Sequence, residues 1–214
     1  MTRKIFTIVF LSIVIVAFAQ ENQTQSIPLP KPQITGGKPL MEALSLRKST
    51  REFSEKEIPL QVLSNLLWAA NGINRPESGK RTAPSASNWQ EIDIYVATPK
   101  AVYLYDAKAN SLKIVKEGDL RADFGRQAFV KTAPVVLAYV ADYSKMGRAA
   151  QTDKDFYSAT DTGFISQNVY LFCASEGLNT VVLGIVDRTN LSSKLGLKPE
   201  QKIILTQPVG YPKK

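Results

Sequence analysis

Apolar positions along this chain fall into two periodicities that predict its elements in turn. Leu60 to Asn71 carries Val62, Leu63, Leu66, Leu67 and Ala70 at helical spacing, with Pro59 just ahead and Gly72 as the stop. Leu40 to Leu46 repeats the pattern briefly, its apolar side formed by Leu40, Ala43 and Leu44. Thr160 to Glu176 is the longest helical pattern, closed by Gly177. Asp119 to Lys131 gives a weaker one. Ile92 to Ala97 alternates as a strand does, and Ala101 to Asp106 with Leu112 to Val115 reads as a hairpin. Pro134 to Ala141 is a continuous apolar run suited to a buried central strand, and Asn179 to Val186 and Ile203 to Val209 predict two more. Asn71 to Pro84 reads as a loop. The order predicts an α+β fold, a sheet flanked by helices, with no repeats and no second domain.

The first residues stand apart from that pattern. Arg3 and Lys4 precede an apolar run from Ile5 to Phe18, and Ala17-Phe18-Ala19 has the small-x-small form of a signal-peptidase site. The run is short against the roughly 20 residues of a membrane span. Export with cleavage after Ala19, to the periplasm, is the expectation, and an uncleaved anchor is the alternative. Removing nineteen of the 214 residues leaves 195, the size of one compact domain, and lowers the formal charge from +8 to +6. Gln20 to Pro39 is polar and holds Pro28, Pro30, Pro32 and Pro39, which predicts an extended arm ahead of a domain spanning 40–214.

A positive balance is compatible with nucleic acid, anionic lipid or a phosphorylated ligand. An exported chain without dense Lys/Arg runs and interleaved aromatics argues against nucleic acid. Cys173 is the only cysteine, so no intrachain disulfide forms, and its apolar helical setting predicts a buried small hydrophobe. The chain has no histidine. That excludes Ser-His-Asp and Cys-His hydrolases and any histidine-ligated metal site, so an enzyme of this composition takes its chemistry from a cofactor.

Two polar clusters stand out. Arg47-Lys48-Ser49-Thr50-Arg51 puts three cations and two hydroxyls in five residues. Arg47 suits bidentate binding of a phosphate, Lys48 adds a point charge and Ser49 a hydroxyl. Arg81-Thr82-Ala83-Pro84-Ser85-Ala86-Ser87-Asn88 supplies another guanidinium, more hydroxyls and an amide in a Pro-shaped loop. A phosphate beside a ring with several hydrogen-bonding edges, as in flavin mononucleotide, would use both. A solvated basic helix end and a capping loop Asn are the plainer readings of the same residues.

Taken in order with Tyr103-Leu104-Tyr105-Asp106, Ala133-Pro134-Val135-Val136, Gln167-Asn168-Val169-Tyr170 and Val209-Gly210-Tyr211-Pro212, these clusters resemble the nitroreductase superfamily of FMN flavoproteins, particularly its SagB-type dehydrogenase and oxidase branch. The resemblance runs from about Leu40 to Tyr211. It implies a mostly antiparallel sheet flanked by helices and a homodimer packed across a long helix, here Thr160 to Glu176, with the flavin at the interface. It places Arg51 at the pyrimidine edge, Pro84, Ser85 and Ala86 along the ring and ribityl chain, and Asn88 on the ring's polar edge. Leu183 and Gly184 would present backbone N–H groups to flavin N5 and O4, where many members carry Glu-Gly. Basic residues near the C-terminus usually close the phosphate site; here only Lys213 and Lys214 remain.

The implied activity is FMN-dependent transfer of hydride from a small-molecule donor to a nitroaromatic or quinone-like acceptor. No protein nucleophile, no metal, no nucleic acid and no membrane span after signal cleavage are expected. NAD(P)H is scarce outside the cytoplasm, which leaves two alternatives: a SagB-like dehydrogenase or oxidase of another substrate, and a non-catalytic flavin-binding module.

Overall fold

The computed structural model describes residues 26–213, so the expected signal segment 1–19 lies outside the described residues. Among the described residues, nine strands and four α-helices run in the order β1 (Ser26–Pro28), α1 (Leu40–Leu46), α2 (Leu60–Asn71), β2 (Ile73–Arg75), β3 (Lys80–Arg81), β4 (Ile92–Ala97), β5 (Ala101–Asp106), β6 (Ser111–Glu117), β7 (Val135–Asp142), α3 (Gln151–Glu176), β8 (Asn179–Thr180), α4 (Arg188–Leu195) and β9 (Gln201–Gly210). Seven strands form one sheet in the order β1-β6-β5-β4-β7-β9-β8, and every pairing described is antiparallel.

Alternation along the central strands builds a core on each face. Ile92, Ile94 and Val96 of β4 with Leu137 and Tyr139 of β7 pack under α2 and α3. Tyr95, Ala97, Val136, Ala138 and Val140 face the other way, against Phe124, Val130, Leu191 and Leu195. Both faces of β7 are therefore covered, which is why its sequence reads as an unbroken apolar run. Each fully buried Leu or Val here contributes about 1.5–3 kcal/mol. Gly177 takes the left-handed conformation at φ 68°, and Leu178 N–H closes the helix end on the Cys173 carbonyl.

Several elements differ from the sequence expectation. Asp119 to Lys131 is no helix but two 3-10 turns, Arg121–Phe124 and Ala128–Thr132. Gly125 runs extended between them, where a β-carbon would sit 2.9 Å from Val130 Cγ2 and 3.0 Å from Leu183 Cδ1. The strand expected over Asn179 to Val186 pairs only at Asn179–Thr180 and at one bridge, Leu183 to Thr206. Between these points Val182 donates its N–H to the Tyr170 hydroxyl rather than to β9. Helix α3 starts at Gln151, ahead of the expected Thr160, because its first nine residues bury only Ser158 and leave Phe156 and Tyr157 exposed, so no core-facing period marks them. Helix α4 hides in a polar sequence where only Leu191 and Leu195 reach the core, with Asp187 capping it through the Asn190 N–H.

The proline-rich arm pairs with β6 through Ser26–Pro28 and then crosses α2, where Ser64 Oγ donates to the Pro30 carbonyl and Gln61 Nε2 to that of Lys31. Part of the expected loop forms the small β2–β3 hairpin.

Candidate functional site

Helix α1 ends at Leu46, and Arg47 leaves it with extended backbone, φ −58° and ψ 122°. The basic segment then lies against the edge of the main sheet. Thr50 N–H donates to the Thr180 carbonyl at 3.0 Å, and Thr180 N–H returns a bond to Thr50 Oγ1 at 3.1 Å. Tyr170 of α3 ties the arrangement together. Its ring carries the Arg47 guanidinium at 5.4 Å, and its hydroxyl lies 2.9 Å from Ser49 Oγ and accepts the Val182 N–H at 2.9 Å. Arg47 is half-buried, while Lys48 and Arg51 are exposed. None of the three enters an ion pair among the described residues. Two guanidiniums without carboxylate partners, beside a fixed hydroxyl, match a phosphate chemically. Lys48 also lines a cavity of about 260 Å³ with Lys38, Tyr170 and Thr180.

Leu183 and Gly184 follow directly on the same edge. The Leu183 N–H is spent on the Thr206 carbonyl at 2.8 Å, and its side chain is buried. Gly184 is exposed, and its N–H has no partner among the described hydrogen bonds. Of the two expected backbone donors, only Gly184 is open to a ligand. Lys213 is exposed at the chain end and Lys56 stacks on Tyr211 at 4.3 Å.

The second cluster forms a bent loop under local strain. Ser87, Asn88 and Gln90 all have positive φ, 50°, 54° and 49°, a conformation non-glycine residues adopt only when their surroundings hold them. The supports are side chains. Ser85 Oγ accepts the Gln90 N–H at 3.0 Å, and Gln90 Nε2 donates to Asn88 Oδ1 and to the Gly79 carbonyl. Arg81 is used inside this network: Nε donates to Gln90 Oε1 and Nη1 to the Asn71 carbonyl, both at 2.8 Å. Burial lowers its proton affinity, offset in part by Asp93, Tyr105 and Asp106. Pro84 and Asn88 are exposed, Ser85 and Ala86 half-buried.

Beneath this loop two carboxyl groups meet. Asp161 of α3 accepts the Ala86 N–H on Oδ2 at 2.9 Å. Glu91, fully buried at the loop's end, has no hydrogen-bond partner for either carboxylate oxygen among the described residues. Desolvation raises its pKa to about 7, with the neighbouring Asp161 charge adding to the shift. Asp161 is raised as well, by burial, while the Ala86 N–H pulls it down.

The two clusters share a helix, but among the described residues they line separate recesses. Asp161 and Tyr170 are nine positions apart on α3, about 13 Å along the axis and on opposite faces. The residues around Arg81, Pro84, Ser85 and Asn88 line one small recess, and those around Lys48 and Tyr170 line another. Phe156, Tyr157 and Phe164 project from α3, with exposed Leu40, Met41 and Leu44 on neighbouring α1. Asn168 ties α3 to the Ala70 carbonyl, while Gln167 stays at the surface.

Tyr170, Gln90, Glu91 and Asp161 were not among the expected site residues. Tyr170 lies in the Gln167-Asn168-Val169-Tyr170 motif, whose sequence assigns it no role. Asp161 carried a readable signal, a charged residue on the face of α3 that also buries Ile165, Val169 and Cys173. Cys173 is buried, and desolvation holds its thiol protonated.

Comparison with known proteins agrees with this architecture. The sequence model of the nitroreductase family matches residues 44–211. A candidate nitroreductase of Methanocaldococcus jannaschii is 31% identical, over 80% of this chain and 90% of that protein. The crystal structure of a candidate nitroreductase from Ralstonia eutropha superimposes at a TM-score of 0.85 with 42% identity, covering 88% of this chain and 90% of the other. The fold is also that of an NADPH:FMN oxidoreductase from Vibrio harveyi, at a TM-score of 0.61 and 22% identity over 82% of this chain and 69% of that one. The chain belongs to the nitroreductase family and is an oxidoreductase of that class.

Proposed function

We propose that the protein is an FMN-dependent oxidoreductase that works as a homodimer, each flavin site drawing Arg47–Arg51 from one copy and the Pro84–Asn88 loop from the other. The observation that carries this reading is the opposite facing of Tyr170 and Asp161 on α3, with Phe156, Tyr157 and Phe164 exposed along the same helix. An exposed apolar face of this kind is covered by association. A two-fold axis beside one helix brings its two faces, from two copies, to a common site.

Within that site Arg47, Lys48 and Ser49 hold the phosphate, and Tyr170 fixes the Ser49 hydroxyl. Arg51 directs a cation to the pyrimidine edge, where it stabilises developing negative charge. Gly184 offers its unengaged N–H to the reactive edge, and the small side chains of Ser85 and Ala86 permit close approach of the loop. Bound FMN supplies hydride transfer from a small donor to a nitroaromatic or quinone-like acceptor. No side chain serves as nucleophile, which suits a chain without histidine whose one thiol is buried.

The purified protein is expected to absorb in the visible as oxidised flavin does, or to gain that absorption with added FMN. Protein that stays colourless after both overturns the proposal. Bleaching by NADPH in stopped flow supports the nicotinamide-driven cycle; bleaching by another substrate alone moves the protein to the SagB-like dehydrogenase or oxidase reading. We read Met1–Ala19 as an export signal, so the amino terminus of periplasmic protein is expected at Gln20.

A further inference from the structure

We propose that Glu91 is a positioning residue for the flavin site: as a neutral acid it bridges by its proton to Asp161 and so keeps the Pro84–Asn88 loop in its binding shape. The inference rests on reading that loop as half of the FMN site.

Three observations converge. The loop holds two non-glycine residues at positive φ, Ser87 and Asn88, and Gln90 just beyond it is a third, so its shape depends on outside supports. The support from α3 is the single bond from the Ala86 N–H to Asp161 Oδ2. Behind Asp161 lies Glu91, fully buried, with both oxygens lacking a donor. Two ionised carboxylates facing each other in the interior have acceptors only. One proton, placed on Glu91 and donated to Asp161, turns the repulsion into a hydrogen bond and leaves Asp161 anionic toward Ala86.

The other groups facing Glu91 do not supply that proton's equivalent. Lys145, in the turn after β7, favours an ionised Glu91 but is bonded to Asp93 at 2.7 Å. Tyr143, in the same turn, gives its hydroxyl proton to Asp155 at 2.6 Å. Arg81 is engaged with Gln90 and Asn71. Loss of the Glu91 proton therefore places a second negative charge beside Asp161. The pair then separates or admits water, and the loop loses its anchor. By linkage, a ligand that needs the ordered loop draws a proton onto Glu91 when it binds.

The test compares wild type with Glu91→Gln, which keeps the shape and the donor but cannot ionise. FMN is titrated into flavin-free protein across the neutral range, with calorimetry in buffers of different ionisation enthalpy to count protons. Wild-type affinity is expected to fall about tenfold as the pH rises through neutrality, the worth of one charge-assisted hydrogen bond. Proton uptake should accompany binding. E91Q should hold the low-pH affinity throughout and lose that uptake. FMN's own phosphate titrates at about pH 6, so the difference between the two proteins is the readout. In the infrared, the band of a protonated buried carboxyl should be present in wild type and absent from E91Q. A wild-type affinity flat with pH, or an E91Q profile matching wild type, overturns this inference and leaves the flavin reading standing. Absence of FMN binding by wild type at every pH overturns both.

Discussion

Tyr170 and Asp161 stand on opposite faces of one 26-residue helix, and each organises one half of the candidate site. The Tyr170 hydroxyl joins Ser49 to the Val182 amide, while the Asp161 carboxylate holds the Ala86 amide. Helix α3 is thus a rigid spacer that fixes where both halves lie. Because the faces point apart, the proposed two-copy site would take its geometry from how two such helices meet, and cofactor affinity would then depend on association.

Replacing Tyr170 by Phe tests the first half. The ring stays, so its contact with Arg47 is retained, but Ser49 and the Val182 amide lose their partner. A stability loss of about 1 kcal/mol is expected, with a matching loss of FMN affinity. Urea unfolding and flavin fluorescence titration give the two numbers.

The proposed roles divide the basic segment. Arg47→Ala would remove the proposed bidentate phosphate ligand and is expected to weaken FMN binding by about 1.5–3 kcal/mol. Arg51→Ala should leave affinity nearer to wild type and lower the flavin reduction potential, since it removes a cation from the edge where charge develops. Equilibrium titration and a redox dye titration separate the two. Equal effects on both quantities would show that the assignment of roles is wrong.

The stability of the protein should carry the signature of Glu91. Its pKa is raised from 4.5 unfolded to about 7 folded. Below about pH 4.5 both states are protonated. Between these values the folded protein keeps the proton and the unfolded chain releases it, so stability falls as the pH rises and levels off above about pH 7. The loss is on the order of 3 kcal/mol. Glu91→Gln should flatten this segment of the melting-temperature profile and melt higher than wild type at pH 8.

How much of this was legible follows from where the signals come from. Strands β4, β5 and β7 and helix α2 bury continuous or regularly spaced apolar residues, so their periodicity reports them directly. Helix α4 and the first third of α3 reach the core only through two leucines and one serine, and the aromatic Phe156 and Tyr157 face outward, too little for a core-facing period to emerge. Asn179 to Val186 has strand composition, yet the Tyr170 hydroxyl takes the Val182 amide that a ladder would need. The cations and hydroxyls of the candidate phosphate cradle, Arg47 to Arg51, stand together in sequence and are legible there. Arg81 looked equivalent, but its guanidinium is bonded to Gln90 and Asn71, nine and ten residues away. The Glu91–Asp161 contact spans seventy residues and joins a loop to a helix, so only the folded chain shows it.

The exposed aromatic face of α3 gives the most demanding prediction, because it ties together two quantities a monomeric site would keep separate. Phe164 is 44% exposed, so replacing it with Glu disturbs no core packing and should leave the melting temperature of the monomer close to the native fold's own limit. A carboxylate there, doubled by the two-fold axis, places two like charges in an apolar contact. Phe164→Glu is therefore expected to shift the protein from dimer to monomer in light scattering and to lower FMN affinity by at least tenfold in the same preparation, about 1.4 kcal/mol. Raising the protein concentration should restore both together. A monomeric F164E variant that binds FMN as tightly as wild type would mean that one chain holds the whole site, and that the two faces of α3 serve different ends.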